Sequence, residues 1–126
     1  MKRIVRLAAA VFLASAFAAC TLQLEKPESG AVERYAKGAP VDTRALTGEQ
    51  LSQLASWLDR HQSGWSPSYV SYVPHLLIRV KYADGNEGTV NIFTSGFVIV
   101  RSAGRQFTHS FGEAVVGELV SSIDAE

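Results

Sequence analysis

"HLLIRVKYADGNEGTVNIFT", residues His75 to Thr94, sets two alternating stretches on either side of a run of turn formers. In "HLLIRVKY", Leu76, Ile78, Val80 and Tyr82 share one parity, and Leu77, Arg79 and Lys81 the other. A period of two is the period of a pleated strand, because successive side chains leave on opposite faces. "ADGNEG" holds Asp84-Gly85 and Gly88, residues that accept turn backbone at little cost. "TVNIFT" answers with Val90 and Ile92 on one face. "SGFVIVRS" (95–102) adds a third strand after a Ser95-Gly96 turn. "RQFTH" (105–109) adds a short fourth after Ala103-Gly104. Strands joined by tight turns form an antiparallel meander, commonly buried on one face.

A helix precedes the meander and another follows it. In "LTGEQLSQLASWLDRH" (46–61), Thr47 and Gln50 have the spacing of a capping box, and Leu46 and Leu51 take the staple positions around it. Leu51, Leu54, Ala55 and Leu58 form an i, i+3, i+4, i+7 stripe. Gly64 is the expected stop. "SFGEAVVGELVSSI" (110–123) repeats the logic. Ser110 and Glu113 are spaced as a second capping box, and Phe111, Val115 and Leu119 lie on one face. The predicted fold class is therefore α+β, in two layers: an antiparallel three- or four-stranded meander with one helix before it and one after it.

The 126 residues suit one modest domain. That domain is expected over 46–126. Residues 20–45 are rich in Gly, Pro, Ser and charge and read as a tether. A short edge strand around Val32 and Tyr35 is the alternative for part of that stretch. The formal net charge is zero, but Lys2, Arg3 and Arg6 stand at the start, and no acidic residue precedes Glu25. Without residues 1–19, nine basic residues face 12 acidic ones. A mildly acidic domain without a Lys/Arg cluster argues against a nucleic-acid partner.

Residues 1–19 read as a secretion signal. "MKRIVR" is a positive n-region, and "LAAAVFLASAFAA" (7–19) an apolar run closed by small residues. "AFAAC" (16–20) resembles the lipobox of bacterial lipoproteins. Ala18 and Ala19 match the small positions before the cysteine, and Phe17 stands where leucine is usual. The resemblance implies cleavage before Cys20, lipidation of Cys20 and a membrane anchor made by several acyl chains. Thr21, where an aspartate would retain such a protein in the inner membrane, implies the outer membrane, facing the periplasm. Ordinary cleavage after Ala18 and an uncleaved anchor stay open as alternatives. Cys20 is the only cysteine, so no disulfide forms within the chain.

There is no G-x-S-x-G elbow, H-E-x-x-H pair, phosphate-binding glycine loop or calcium-binding loop. His61, His75 and His109 are far apart in sequence, and "DGNEG" reads as a turn. Neither metal nor cofactor is expected, and the reading is non-enzymatic. "GWSPSYVSYVPH" (64–75) is the one concentrated stretch, with Trp65, Tyr69, Tyr72 and His75 around Pro67 and Pro74. Aromatics with polar tips on a Pro-constrained segment suit a recognition surface. They equally suit rings that cover a sheet, with Trp65 plugging the end of the first helix. Arg79 and Lys81 read as the solvated face of a strand, and His109 as a packing residue ahead of the last helix. The expected function is contact with an envelope protein, as an accessory subunit, inhibitor or immunity-like protein. The alternative is a module for peptidoglycan or another glycan that uses residues 64–75.

Overall fold

The structure is a computed structural model that describes residue 22 and residues 26–123. The expected signal segment 1–19 and the expected lipidation site Cys20 lie outside the described residues.

Seven strands and two helices follow in the order β1 (Ser29–Ala36), β2 (Ala39–Ala45), α1 (Gly48–Arg60), β3 (Ser66–Pro67), β4 (Leu76–Lys81), β5 (Glu87–Phe93), β6 (Phe97–Ser102), β7 (Arg105–Ser110) and α2 (Glu113–Ile123). They make an α+β fold with one antiparallel sheet, ordered β2-β1-β4-β5-β6-β7-β3. The meander read from the sequence is β4 to β7. The count of three or four strands is corrected to seven, and residues 29–45 are sheet rather than tether. Their signal is weak because β1 buries only Val32 and β2 runs along an edge with most residues exposed. The turn that joins them is Lys37-Gly38, with φ of 53° and 78°. Two consecutive left-handed residues match the twist of a two-residue hairpin. Ala103-Gly104, with φ of 53° and 75°, repeats the device between β6 and β7.

One face of the sheet is apolar and carries both helices. Val32, Ile78, Val80, Val90, Ile92, Val98 and Val100 are buried there against Leu54, Trp57 and Leu58 of α1 and Val116, Leu119 and Ile123 of α2. α1 starts as its sequence indicates. Gln50 N–H donates to Thr47 Oγ1 at 3.1 Å, and Thr47 N–H donates to Gln50 Oε1 at 2.9 Å. The staple leucines Leu46 and Leu51 both reach over Gly30, where a Cβ would stand 3.1 and 3.2 Å from their methyls and would crowd them. Thr47→Ala removes one half of the box, and we expect a loss of about 1 kcal/mol in a urea titration.

The start of α2 departs from expectation. Ser110 pairs with Phe97 as the last residue of β7, and the helix begins only at Glu113. Gly112, at φ 90°, makes the corner instead of a Ser110 cap. The far end of α2 is held from outside. Arg44 Nη2 and Gln50 Nε2 donate to the Ile123 carbonyl at 3.1 and 3.2 Å, occupying an acceptor the helix leaves unpaired.

Topology places the aromatic segment. β3 sits on the edge beyond β7, whereas the next strand, β4, lies on the other side of β5, β6 and β7. The chain between them must cross the sheet, and the helices already occupy one face. Residues 68–75 cross the other face as a strap.

Candidate functional site

Two anchors hold the strap. Where it leaves β3, Ser68 N–H donates to the Gln106 carbonyl at 2.9 Å, and Gln106 Nε2 donates to Ser68 Oγ and to the Val70 carbonyl. Where it joins β4, the His75 carbonyl accepts from Tyr35 N–H, and His75 N–H donates to Asn91 Oδ1 at 3.2 Å. Asn91 is fully buried between Leu77 and Ile99 on the neighbouring strands. Its Nδ2 has no hydrogen-bond partner among the described residues.

The four residues singled out in the sequence part company here. Trp65 is buried, with its Nε1 donating to the His61 carbonyl at 2.6 Å. It plugs the end of α1 and offers no ring face to a ligand. Tyr72 lies half-buried against the sheet, its ring edge-on to Phe93 at 6.0 Å. Burial pushes its phenol up from the usual tyrosine value, while the Arg101 charge and a hydrogen bond with Thr89 pull against that shift. Tyr69 is 95% exposed. His75 serves the strap through its backbone, and its side chain is exposed. His109 stacks on Phe111 at 3.6 Å, as the packing reading expected.

Between the strap and the sheet runs an open groove of about 680 Å³. Its floor is a row across the meander that register creates: Arg79 pairs with Thr89, Thr89 with Arg101, and Arg101 with Gln106. Neighbouring strands lie about 4.8 Å apart, so the Arg79 and Arg101 backbones stand about 10 Å apart across Thr89. Arg105 lines the same groove, its guanidinium 5.3 Å from the Phe107 ring centre. The sequence reading passed over Arg101, Arg105 and Gln106. Their signal was the shared parity of Arg79, Thr89 and Arg101, which needs the register of three strands before it becomes a row.

Arg79 is paired. Its Nε donates to Glu33 Oε1 at 2.6 Å, and Tyr35 Oη donates to Glu33 Oε2 at 2.7 Å. The Tyr35 hydrogen bond, helped by Arg79 and opposed by burial, holds the Glu33 carboxyl below the usual glutamate value. A depressed carboxyl stabilises the fold above its unfolded value of 4.5 and loses that contribution as pH falls through the folded value. Urea midpoints taken between about pH 6 and pH 3 should therefore fall less steeply for Glu33→Gln than for the parent chain. Parallel curves would refute the pairing as a stabilising contact.

Among the described residues, no group of three His, Cys, Asp or Glu side chains is placed to hold a metal ion. No helix among them is long and apolar enough to cross a membrane. The chain matches no family model, no curated protein and no solved structure.

Proposed function

We propose that this chain is a non-enzymatic bacterial envelope lipoprotein, lipidated at Cys20, anchored in the outer membrane and facing the periplasm, that works by contact with another envelope protein. The lipobox resemblance supports the anchor. The strap supports the contact: Tyr69, Val70 and Val73 are 95%, 68% and 63% exposed. Phe97, half exposed, lies on the same side of the sheet. Large apolar side chains gathered on one exposed surface favour a protein interface. The observation that carries the reading is this strap, tied to the sheet at both ends by hydrogen bonds while Tyr69, Val70 and Val73 face outward.

A cross-linked pull-down from native envelopes tests it, with Cys20→Ala and Val70→Ser/Val73→Ser beside the parent protein. A single dominant partner that both variants lose is the expected result. A partner retained by the strap variant, or none enriched from the parent, sinks the reading.

The groove favours a second reading, a peptidoglycan or glycan module. Its volume lies within the range of small-molecule sites, and Tyr69, Tyr72 and several hydroxyls line it. Co-sedimentation with purified peptidoglycan checks this. Tyr69→Ala is the informative variant, because Trp65 is buried.

A further inference from the structure

We propose that the groove beneath the strap is a binding site for an anionic saccharide, a sugar carrying a carboxylate or phosphate, with Arg101 as the residue that reads its charge. The inference rests on the glycan reading above and names the ligand chemistry.

The first support is the distribution of charge. The chain without its signal segment carries more acidic than basic residues, yet three of its nine cations, Arg79, Arg101 and Arg105, line this one groove. Glu33 partly neutralises Arg79. Among the described residues, no carboxylate is ion-paired with Arg101 or Arg105. A guanidinium left on a groove floor beside a half-buried phenol favours an oxyanion, which it can meet with two parallel N–H donors.

The second support is what surrounds the charge. Thr89 and Gln106 flank Arg101 in the cross-strand row, and Ser68 and Ser71 stand on the strap side. The Gln106 N–H donors and Ser68 Oγ hold the strap, so the hydroxyls of Ser71 and of Thr89, which also meets Tyr72, are the ones that can donate and accept as sugar hydroxyls require. Tyr69 stands at the rim of the groove with its ring 95% exposed, a free surface on which a sugar ring can stack at the mouth. A groove for an inorganic ion would need neither the platform nor this length. The floor also continues past Arg101 along Ser102, Ala103 and Gly104, where a further hollow of about 190 Å³ shares Arg79, Thr89 and Arg101 and is lined by Glu87 as well, which favours a neutral sugar unit there over a second anionic one. A chain of more than one sugar can follow it.

The test is isothermal titration of the full-length protein, purified in detergent, with four probes: trigalacturonate, its neutral methyl ester, glucose 6-phosphate and inorganic phosphate. The acidic sugar, the sugar phosphate or both should bind at least about tenfold tighter than the ester and the inorganic ion. The titration thus separates the two sources of the anion. Arg101→Gln should weaken that binding by about tenfold, and added salt should weaken it further. Arg60→Gln, on α1 and ion-paired with Glu118, should leave it unchanged. An ester that binds as well as the tighter of the two anionic sugars, or an Arg101→Gln variant that binds like the parent, overturns the inference and leaves the glycan reading standing. Inorganic phosphate that matches glucose 6-phosphate, with trigalacturonate no tighter than its ester, also overturns it. Silence from all four probes overturns this inference and, joined to a failed peptidoglycan co-sedimentation, the glycan reading too.

Discussion

Trp65→Ala should destabilise the domain by about 3–5 kcal/mol, the range for truncating a buried tryptophan. The indole is 1% exposed. Its ring meets the edges of His109 and Phe111 at 5.4 and 5.5 Å, and Phe111 in turn meets Trp57 at 5.0 Å. Its N–H occupies the His61 carbonyl where α1 ends. Alanine leaves a cavity where α1, β7 and the start of α2 converge, and frees that carbonyl. In a domain of this size each kcal/mol lowers the melting temperature by about 4–8 °C. Thermal unfolding followed by near-UV circular dichroism measures the effect. Trp65→Phe should lose less, because one ring still fills part of the space, although the second ring and the donor go. An alanine variant as stable as the parent would overturn the placement of Trp65 in the core. Loss of ligand binding in Trp65→Ala therefore carries no information about contact, whereas the same loss in Tyr69→Ala does.

The second large effect is expected at Gly96, in the turn between β5 and β6. Its φ is 121°, a backbone that residues with a Cβ rarely adopt. A Cβ built there stands 2.8 Å from the Cα and the carbonyl carbon of Gly112, both backbone atoms that cannot rotate away. The approach is close because the Gly96 carbonyl accepts from Phe111 N–H at 2.8 Å and from Gly112 N–H at 3.2 Å, tying the turn to the start of α2. Gly96→Ala adds backbone strain to overpacking, for a combined loss of about 2–5 kcal/mol. Gly104→Ala is the matched control. It too has a positive φ, 75°, but its Cβ would meet nothing within 4 Å. Strain alone should cost it about 1–2 kcal/mol. Equal losses at the two positions in urea titrations would refute the Gly96–Gly112 contact.

Legibility followed the range of the interactions. Strands β4 and β5 were readable from their alternation, and β6 and β7 from the Ser95-Gly96 and Ala103-Gly104 turns that precede them. α1 was readable from its capping box and leucine stripe. β1 and β2 were not, because an edge hairpin buries little on either face, and Lys37-Gly38 is a weaker turn signal than Asn-Gly or Asp-Gly. Ser110 and Glu113 carried the spacing of a cap, but β7 claimed Ser110 for its ladder. Asn91 reads as an ordinary polar residue on a solvated face, yet the strap above it makes it one of the most deeply buried side chains.

The candidate site shows the same division. That Tyr69, Tyr72 and Trp65 lie close together in sequence, and that Arg79 and Thr89 face away from the apolar side of their strands, follows from the order of residues and the two-residue pleat. Those are local facts, set by backbone geometry within a few positions. Whether Trp65 faces a ligand or the core, and whether Arg79 and Arg101 stand in one row, depends on where β3 docks, which face the strap crosses and how three strands align. β3 pairs with β7 some 40 residues later in the chain, and the helices close the opposite face to the returning segment. Contacts between residues so far apart leave no period in the sequence, because each is specified only once the rest of the sheet exists.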